Sequence, residues 1–307
     1  MIEDVIVVGG GPAGAACALW AHQLGLRVLL VEAGPALGGL QRRSPYTNRW
    51  LPGVPGRTGQ QVAASLQDHV MSAGVPHVLD FAVTSIRRGA APWWWEVSNG
   101  QVTHRGQHVV IATGSRPRHG GFVENEHVGI GPGVSMERLE VAGRRVAIFG
   151  GGDNAFDQAG FALRRGAASV EVFCRRAPRA QPLLLKQVAP ENVHIGPFEV
   201  DQAAMTVDGR GFDVIGVQYG FEASIPAGLR LALDDGCIEV DRHGAVPGLP
   251  GLYAAGEVTN FLHPCVATAY AHGVQVAKAI QNASAAGPWV QPRVDRQAPL
   301  RTLAAAA

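Results

Sequence analysis

The chain predicts an α/β fold with two similar halves, on three observations. Val5-Ile6-Val7-Val8-Gly9-Gly10-Gly11-Pro12-Ala13-Gly14 is an apolar run, a Gly-rich turn and the start of a helical pattern. Val146-Ala147-Ile148-Phe149-Gly150-Gly151-Gly152-Asp153-Asn154-Ala155 repeats that order far downstream. Around both, apolar strands alternate with turn residues and helical segments as in doubly wound sheets. A Gly-rich strand-to-helix turn cradles a dinucleotide, so two in one polypeptide point to two dinucleotides with electron transfer between them.

The elements follow in order. Residues 4 to 8 form a strand, residues 12 to 24 a helix, and Arg27 to Val31 a second strand closed by Glu32. Gly, Pro, Arg and aromatics crowd residues 35 to 60, which predicts an irregular loop; residues 61 to 73 return to a helical pattern. Strands over residues 80–88, 93–99 and 108–115, separated by turn residues, predict a meander. Trp93-Trp94-Trp95 opens its middle strand, which favours a structural role over a stacking surface. A second strand-turn-helix unit starts at Arg145, residues 164–173 supply its next strand, and Phe212 to Tyr219 another. After Ile238 come hairpin residues, then Gly251 to Val258, then a helix from Cys265 to Gln281. The first domain is thus interrupted by the second and resumed after it. Ala283 to Ala307, with Pro288, Pro292 and Pro299, reads as a loose arm.

The 307 residues leave room for two domains, and 47% apolar with 17% charged residues describes a globular chain. A net charge of +1 offers no electrostatic footprint, so neither nucleic acid nor a membrane surface is expected as the main partner. No apolar run approaches the roughly 18 residues of a spanning helix. The N-terminus lacks a basic leader, and Val5 to Val8 run straight into the first Gly turn, so a cytoplasmic location is expected. Cys17, Cys174, Cys237 and Cys265 form no CxxC pair and no metal-ligand spacing, and are read as reduced, mostly buried residues.

Gly9, Gly11 and Gly14 fall at GxGxxG spacing: one for the tight turn, one for close approach of backbone to a pyrophosphate, one for helix packing on the sheet. The helix N-terminus at Pro12 and Ala13 favours the phosphates' charge. Glu32 closes the next strand, where a carboxylate accepts hydrogen bonds from ribose hydroxyls. The second turn reads GxGxxA, with Gly150, Gly152 and Ala155, and with Asp153 and Asn154 at the helix start. Its following strand ends in Arg175, Arg176 and Arg179 rather than in an acid. Guanidiniums there grip a 2′-phosphate bidentately, which predicts NADPH over NADH.

Ala112-Thr113-Gly114-Ser115 and Leu252-Tyr253-Ala254-Ala255-Gly256-Glu257 resemble the ATG and GD motifs of FAD-binding proteins in the pyridine nucleotide-disulfide oxidoreductase superfamily, with Glu257 in place of Asp. With GGGPAG, Gly38-Gly39, GGGDNA and the RRxxR run, the chain from Val5 to about Gln281 resembles the thioredoxin reductase family. The resemblance implies two Rossmann-like three-layer ββα domains, FAD, NADPH and a homodimer. It divides the chain into an FAD domain over residues 1–117 and 222–290, an NADPH domain over 118–221, and a flexible tail over 291–307. It extends the FAD site to Gly39, Gln41, Asn48, Val83, Ala112, Thr113, Gly114, Gly256, Glu257, Pro264, Cys265 and Val266.

The departure is the redox dithiol. Where thioredoxin reductases carry CxxC, the chain reads Gly131-Pro132-Gly133-Val134-Ser135-Met136-Glu137-Arg138. Electrons leave such a flavin through an enzyme disulfide. The expected acceptor is therefore a small redox molecule or an electron-carrier protein, as in the ferredoxin (flavodoxin)–NADP reductases that the second Gly-rich run resembles. Two other readings are a flavoprotein reduced by ferredoxin with a vestigial NADPH site, and a non-catalytic flavin sensor. His263-Pro264-Cys265 opens the last helix, which in the family faces the flavin; Cys265 and His263 are the candidate catalytic residues, the thiol with a lowered pKa. Tyr46 and Trp50 are candidates to line the isoalloxazine.

Overall fold

The structure is a computed structural model and describes residues 2–90 and 93–285. The predicted tail and residues 286–290 lie outside the described residues.

Strands β1 (Glu3–Val8), β2 (Val28–Val31) and β3 (His77–Val78) run parallel, and β4 (Ser85–Arg88), β5 (Trp95–Ser98) and β6 (Thr103–Ile111) form the predicted antiparallel meander. One sheet joins them in the order β3-β2-β1-β6-β5-β4. One edge of β6 pairs with β1 over Gly106 to Ile111. Its other edge is divided: β5 takes Thr103 to Gly106, and β19 (Leu252–Ala254) returns from far downstream to take Val109 to Ile111 in parallel.

A continuous apolar strand is the mark of burial on both faces, and β1 shows it. Val5 and Val7 pack among buried residues of α1 (Pro12–Gln23) and α6 (Val266–Ala285). Ile6 and Val8 point the other way, toward Ile86, Trp95 and Val97 of the meander. Three layers result, with helices, parallel sheet and meander stacked in that order. The two helices press close: a Cβ on Gly273 of α6 would fall 2.1 Å from the Ala13 carbonyl oxygen.

Trp95 is the anchor of the meander layer at 1% exposure, its Nε1–H donating to the Pro250 carbonyl at 3.3 Å and the Arg88 guanidinium lying 4.1 Å from its ring. Trp94 is partly buried, with the Arg105 guanidinium 5.4 Å away, and Trp93 is 55% exposed. Trp95→Ala is expected to cost about 3–5 kcal/mol, read as a lower unfolding midpoint in urea, because it opens a cavity in the buried core of the meander layer.

Ser115–Pro117 (β7) and Phe221–Ala223 (β16) pair antiparallel where the chain leaves and re-enters the first sheet's surroundings. Between them, β8 (Val128–Ile130), β9 (Arg145–Phe149), β10 (Ser169–Cys174), β11 (Val193–Ile195) and β15 (Val214–Val217) form a five-stranded parallel sheet, order β11-β10-β9-β15-β8. Helix α4 (Asp153–Arg164) covers it through Ala155, Phe156, Ala159 and Ala162. Short strands β12 (Val200–Asp201), β13 (Thr206–Val207) and β14 (Arg210–Gly211) make a small separate sheet, and β17 (Leu233–Asp234) and β18 (Cys237–Ile238) a hairpin.

Several boundaries differ from the sequence expectation. Residues 80–84 are not strand: Asp80 sits at φ +54°, and its N–H and that of Phe81 donate to Gly34 and Glu32 carbonyls, tying the segment to the loop after β2. Helix α2 (Gly59–Ser72) starts earlier than predicted because Thr58 and Gln61 form a reciprocal capping box. The loop before it contains a 3-10 turn over Gly39–Arg43. The last helix runs to Ala285, so Ala283, Ser284 and Ala285, expected to begin the loose arm, complete its final turn instead. Among the described residues, no helix is long and apolar enough to cross a membrane.

Candidate active site

The first Gly-rich turn is tightly packed at two of its glycines and open at the third. Gly9 sits at φ +104°, and a Cβ there would fall 2.4 Å from the Ala112 carbonyl oxygen, so the turn lies directly against the end of β6. A Cβ on Gly14 would fall 1.9 Å from the Gly9 carbonyl oxygen, which is how closely α1 packs. Gly11 is the opposite case: its Cβ position is open, with Gly39 Cα the nearest atom at 3.8 Å. It is also the N-cap of α1, and no described side chain caps that helix, so the N–H groups of the first turn keep no side-chain partner. Helix α2, which has no Gly-rich turn, is fully capped by its own side chains. An uncapped helix behind an open glycine fits a pyrophosphate.

Glu32 is held in place from both oxygens. Oε2 accepts the Gly10 N–H at 2.6 Å and Oε1 the Gly34 N–H at 2.8 Å. A cleft of about 1100 Å³ begins there and runs past Val83, Thr113 and Ser115 to Glu257 and Pro264. Ala112 and Gly114 flank Thr113, whose hydroxyl donates to the Ser224 carbonyl at 2.5 Å. Gly256 adopts φ +79° against α1, where a Cβ would lie 2.7 Å from that of Ala13. Glu257 accepts the Ser115 hydroxyl at 2.7 Å. Gln41 and Asn48 join through Asn48 Nδ2 to Gln41 Oε1 at 3.3 Å, one turn from Gly39.

Cys265 precedes α6 and Val266 begins it, with Pro264 lining the cleft and His263 exposed. Cys265 and Thr268 cap the helix reciprocally: the Thr268 N–H approaches Sγ at 3.5 Å, and the Cys265 N–H donates to Thr268 Oγ1 at 3.2 Å. The Thr268 hydroxyl, 3.3 Å from Sγ, is the main cause that lowers the Cys265 pKa; partial burial opposes it, and the N–H groups of Thr268 and Ala267 add to the lowering. Burial pushes Cys237 up, helped by Asp235, and pushes buried Cys17 to about 12. Iodoacetamide is therefore expected to label Cys265 at lower pH than Cys237. Thr268→Val should move the Cys265 labelling profile upward toward an ordinary thiol; an unchanged profile would remove the hydroxyl as its cause.

Two supporting residues were not singled out as site residues by the sequence. Ser115 was visible only as the end of ATGS. His272, on α6 and 1% exposed, accepts the Gly256 N–H at Nδ1, 3.1 Å away, and burial lowers its pKa, so the neutral ring carries its proton on Nε2. A lone histidine in an apolar helix offers nothing to distinguish it.

In the second turn Gly150 sits at φ +138°, a Cβ there falling 2.3 Å from the Gln218 carbonyl oxygen, whereas Gly152 caps α4 with nothing within 4 Å of its Cβ position. Helix α4 again lacks a side-chain cap. Ala155 packs beneath Gly150. Asp153, followed by Asn154, accepts the Gln181 N–H and Nε2–H, each at 2.8 Å. The arginines are unequal. Arg175 lies over Tyr219 and Phe198, with centroid distances of 5.6 and 6.0 Å. Arg176 and Arg179 are exposed, and among the described residues their guanidiniums form no ion pair or hydrogen bond. The backbone N–H of Arg179 donates to the Gly151 carbonyl at 2.6 Å, which fixes the arginine loop beside the glycine turn.

Where a dithiol would precede this turn, Val134–Glu137 form a short helix, α3. Met136 is fully buried against Gly129 and Gly216, and buried Ser135 bonds Glu124 and the Ile130 N–H. Tyr46 is turned from the cleft, its hydroxyl donating to Gln158 at 3.3 Å and its ring 5.5 Å from Phe161. Trp50 is 82% exposed.

A pair of such turns, each at the end of a parallel strand in its own sheet, defines a two-dinucleotide oxidoreductase. The chain belongs to the pyridine nucleotide-disulphide oxidoreductase family, which matches residues 3–287. The cofactors of this class are FAD and NADPH. The chain is 26% identical to ferredoxin–NADP reductase 2 of Listeria monocytogenes, over 85% of this chain and 86% of that one. It is 25% identical to the thioredoxin reductase of Streptomyces coelicolor, over 90% and 92%. The fold matches that of Lactococcus lactis thioredoxin reductase in its FR conformation, with a TM-score of 0.75 and 21% identity over 91% of this chain and 98% of that one.

Proposed function

We propose that this enzyme takes electrons from NADPH onto FAD and passes them to a small electron-carrier protein of the ferredoxin or flavodoxin kind, with no enzyme dithiol between. The packed Met136 helix carries this reading: both cradles are intact, yet the position that would hold a dithiol is filled by core, and no two cysteines of the chain are close in sequence. The similarity to ferredoxin–NADP reductases supports the choice of carrier.

When bound, FAD supplies the conversion of a hydride into transferable electrons. The residues divide the rest of the work. The open N–H groups behind Gly9, Gly11, Pro12, Ala13 and Gly14 hold the FAD pyrophosphate, and Glu32 accepts its ribose hydroxyls. Gly39, Gln41, Asn48, Val83, Ala112, Thr113, Gly114, Gly256 and Glu257 line the remainder, and the N-terminus of α6 at Pro264, Cys265 and Val266 offers N–H groups to developing negative charge. Gly150, Gly152, Asp153, Asn154 and Ala155 seat NADPH, with Arg175, Arg176 and Arg179 at its 2′-phosphate. The FAD unit is assigned to the described residues within 1–117 and 222–290, and the NADPH unit to 118–221. The family resemblance supports a homodimer as the working form.

Anaerobic mixing with NADPH tests the reading. The yellow flavin absorbance should bleach within seconds to minutes, and added ferredoxin should restore it. A flavin that stays yellow with NADPH but bleaches with reduced ferredoxin would reverse the direction of electron flow proposed here.

A further inference from the structure

We propose that the loop from Asn48 to Arg57 is the docking surface for an acidic electron-carrier protein, an inference that rests on the reading of function above. The first observation is charge. From Ala33 to Gln67 the chain has no Asp or Glu but carries Arg42, Arg43, Arg49 and Arg57, on a protein whose net charge is only +1. All four arginines are exposed, and none forms an ion pair with the described residues. Arg42 reaches the Leu37 carbonyl and Arg57 donates to Ser65 Oγ at 2.7 Å, both neutral acceptors that leave the charge uncancelled. Arg43 differs. Arg43 and Glu124 line one surface pocket, so part of the Arg43 charge is offset there: burial raises the Glu124 pKa, hydrogen bonds from Ser135 and Arg138 outweigh it, and the Arg43 charge adds to the lowering. The uncompensated charges are therefore Arg42, Arg49 and Arg57.

The second observation is Trp50, the most exposed large apolar side chain among the described residues at 82%. Arginine beside an exposed tryptophan is the composition of binding hot spots. The third is rigidity. Thr47 and Thr58 bridge antiparallel, and the Asn48 N–H donates to the Arg57 carbonyl at 2.8 Å, so the loop's ends are pinned together. Asn48 Oδ1 accepts the N–H groups of Trp50 and Leu51, each at 3.1 Å, which fixes the tryptophan's backbone. A preorganised surface spends less on ordering when a partner arrives.

The location completes the argument. The same Asn48 that anchors the loop reaches back through Nδ2 to Gln41, beside Gly39. A carrier seated on Arg49 and Trp50 thus stands next to residues proposed above to line the flavin. Uncompensated arginines on a rigid base select a partner of opposite charge and speed its encounter.

The experiment uses the flavin-loaded enzyme and two acceptors, a [2Fe–2S] ferredoxin of acidic surface and the neutral quinone menadione. In Arg49→Glu/Arg57→Glu, ferredoxin-dependent kcat/KM should fall about tenfold or more and its salt dependence should flatten. NADPH–menadione turnover and FAD content should match wild type. Arg49→Gln/Arg57→Gln should give an intermediate loss, and the lysine pair should restore most of the rate. A ferredoxin rate within about twofold of wild type in the charge reversal, or a fall matched by menadione, overturns the inference alone. Failure of the wild type to reduce either ferredoxin or flavodoxin overturns the inference together with the reading on which it rests.

Discussion

Gly14→Ala is expected to yield a colourless protein. The added Cβ would stand 1.9 Å from the Gly9 carbonyl oxygen, and that oxygen belongs to backbone wedged against the end of β6, so no side chain can swing aside. Helix α1 must then lift from β1, and its uncapped N-terminus moves away from the site of the pyrophosphate. A retained flavin content below about a tenth of wild type is expected, with an FAD affinity loss of about a hundredfold, equivalent to about 2.7 kcal/mol. Gly11→Ala separates cradle from packing. Its Cβ meets nothing closer than 3.8 Å, so the fold should keep its melting temperature while the methyl group occupies the space meant for phosphate. Flavin absorbance per protein, measured beside thermal unfolding, distinguishes the two. Normal flavin stoichiometry in Gly14→Ala would defeat the assignment of the first turn.

Arg176→Ala/Arg179→Ala should convert the enzyme from NADPH preference to indifference. Neither guanidinium has a partner among the described residues, so the substitution should leave stability within a few tenths of a kcal/mol. Each charge-assisted hydrogen bond to a 2′-phosphate is worth about 1.5–3 kcal/mol, so losing both should raise the NADPH KM about a hundredfold or more while the NADH KM stays put. Arg175→Ala should do less to affinity and more to packing, because its guanidinium already lies over Tyr219 and Phe198. Steady-state kinetics with both nucleotides provide the measurement. Equal losses on NADPH and NADH would mean that the arginines serve something other than the 2′-phosphate.

Much of the fold was legible because its signals are local. The run Val5 to Val8 is apolar at every position, and the structure buries alternate residues in two different cores, as an unbroken run demands. Both glycine turns were legible for the same reason: strand, turn and helix are contiguous. What escaped is built across distance. Strand β3 is too short for any periodicity, and only its pairing with β2 makes it a strand. The Cys265–Thr268 cap is a reciprocal capping arrangement written with a thiol in place of a hydroxyl, so the usual Ser or Thr signature does not reveal it. Tyr46, an aromatic near expected flavin contacts, turned instead to Phe161 and Gln158, more than 100 residues away in sequence. His272 gained its role only when Gly256 was folded onto α6.

The divided edge of β6 has a consequence for how the protein is made. As the chain leaves the ribosome, β1 to β6 are complete once Ile111 has emerged, but half of one β6 edge stays bare until Leu252 to Ala254 arrive. Everything from β8 to β15 is synthesised in between, and that sheet closes using its own strands alone. Assembly during translation therefore runs from the inner unit outward, with the earlier sheet waiting for its last strand and for helix α6 behind it. An open strand edge is a template for unwanted pairing, so this interval exposes the chain to aggregation. Chains released before residue 252 should accumulate with a finished inner sheet and an outer sheet unable to keep a cofactor.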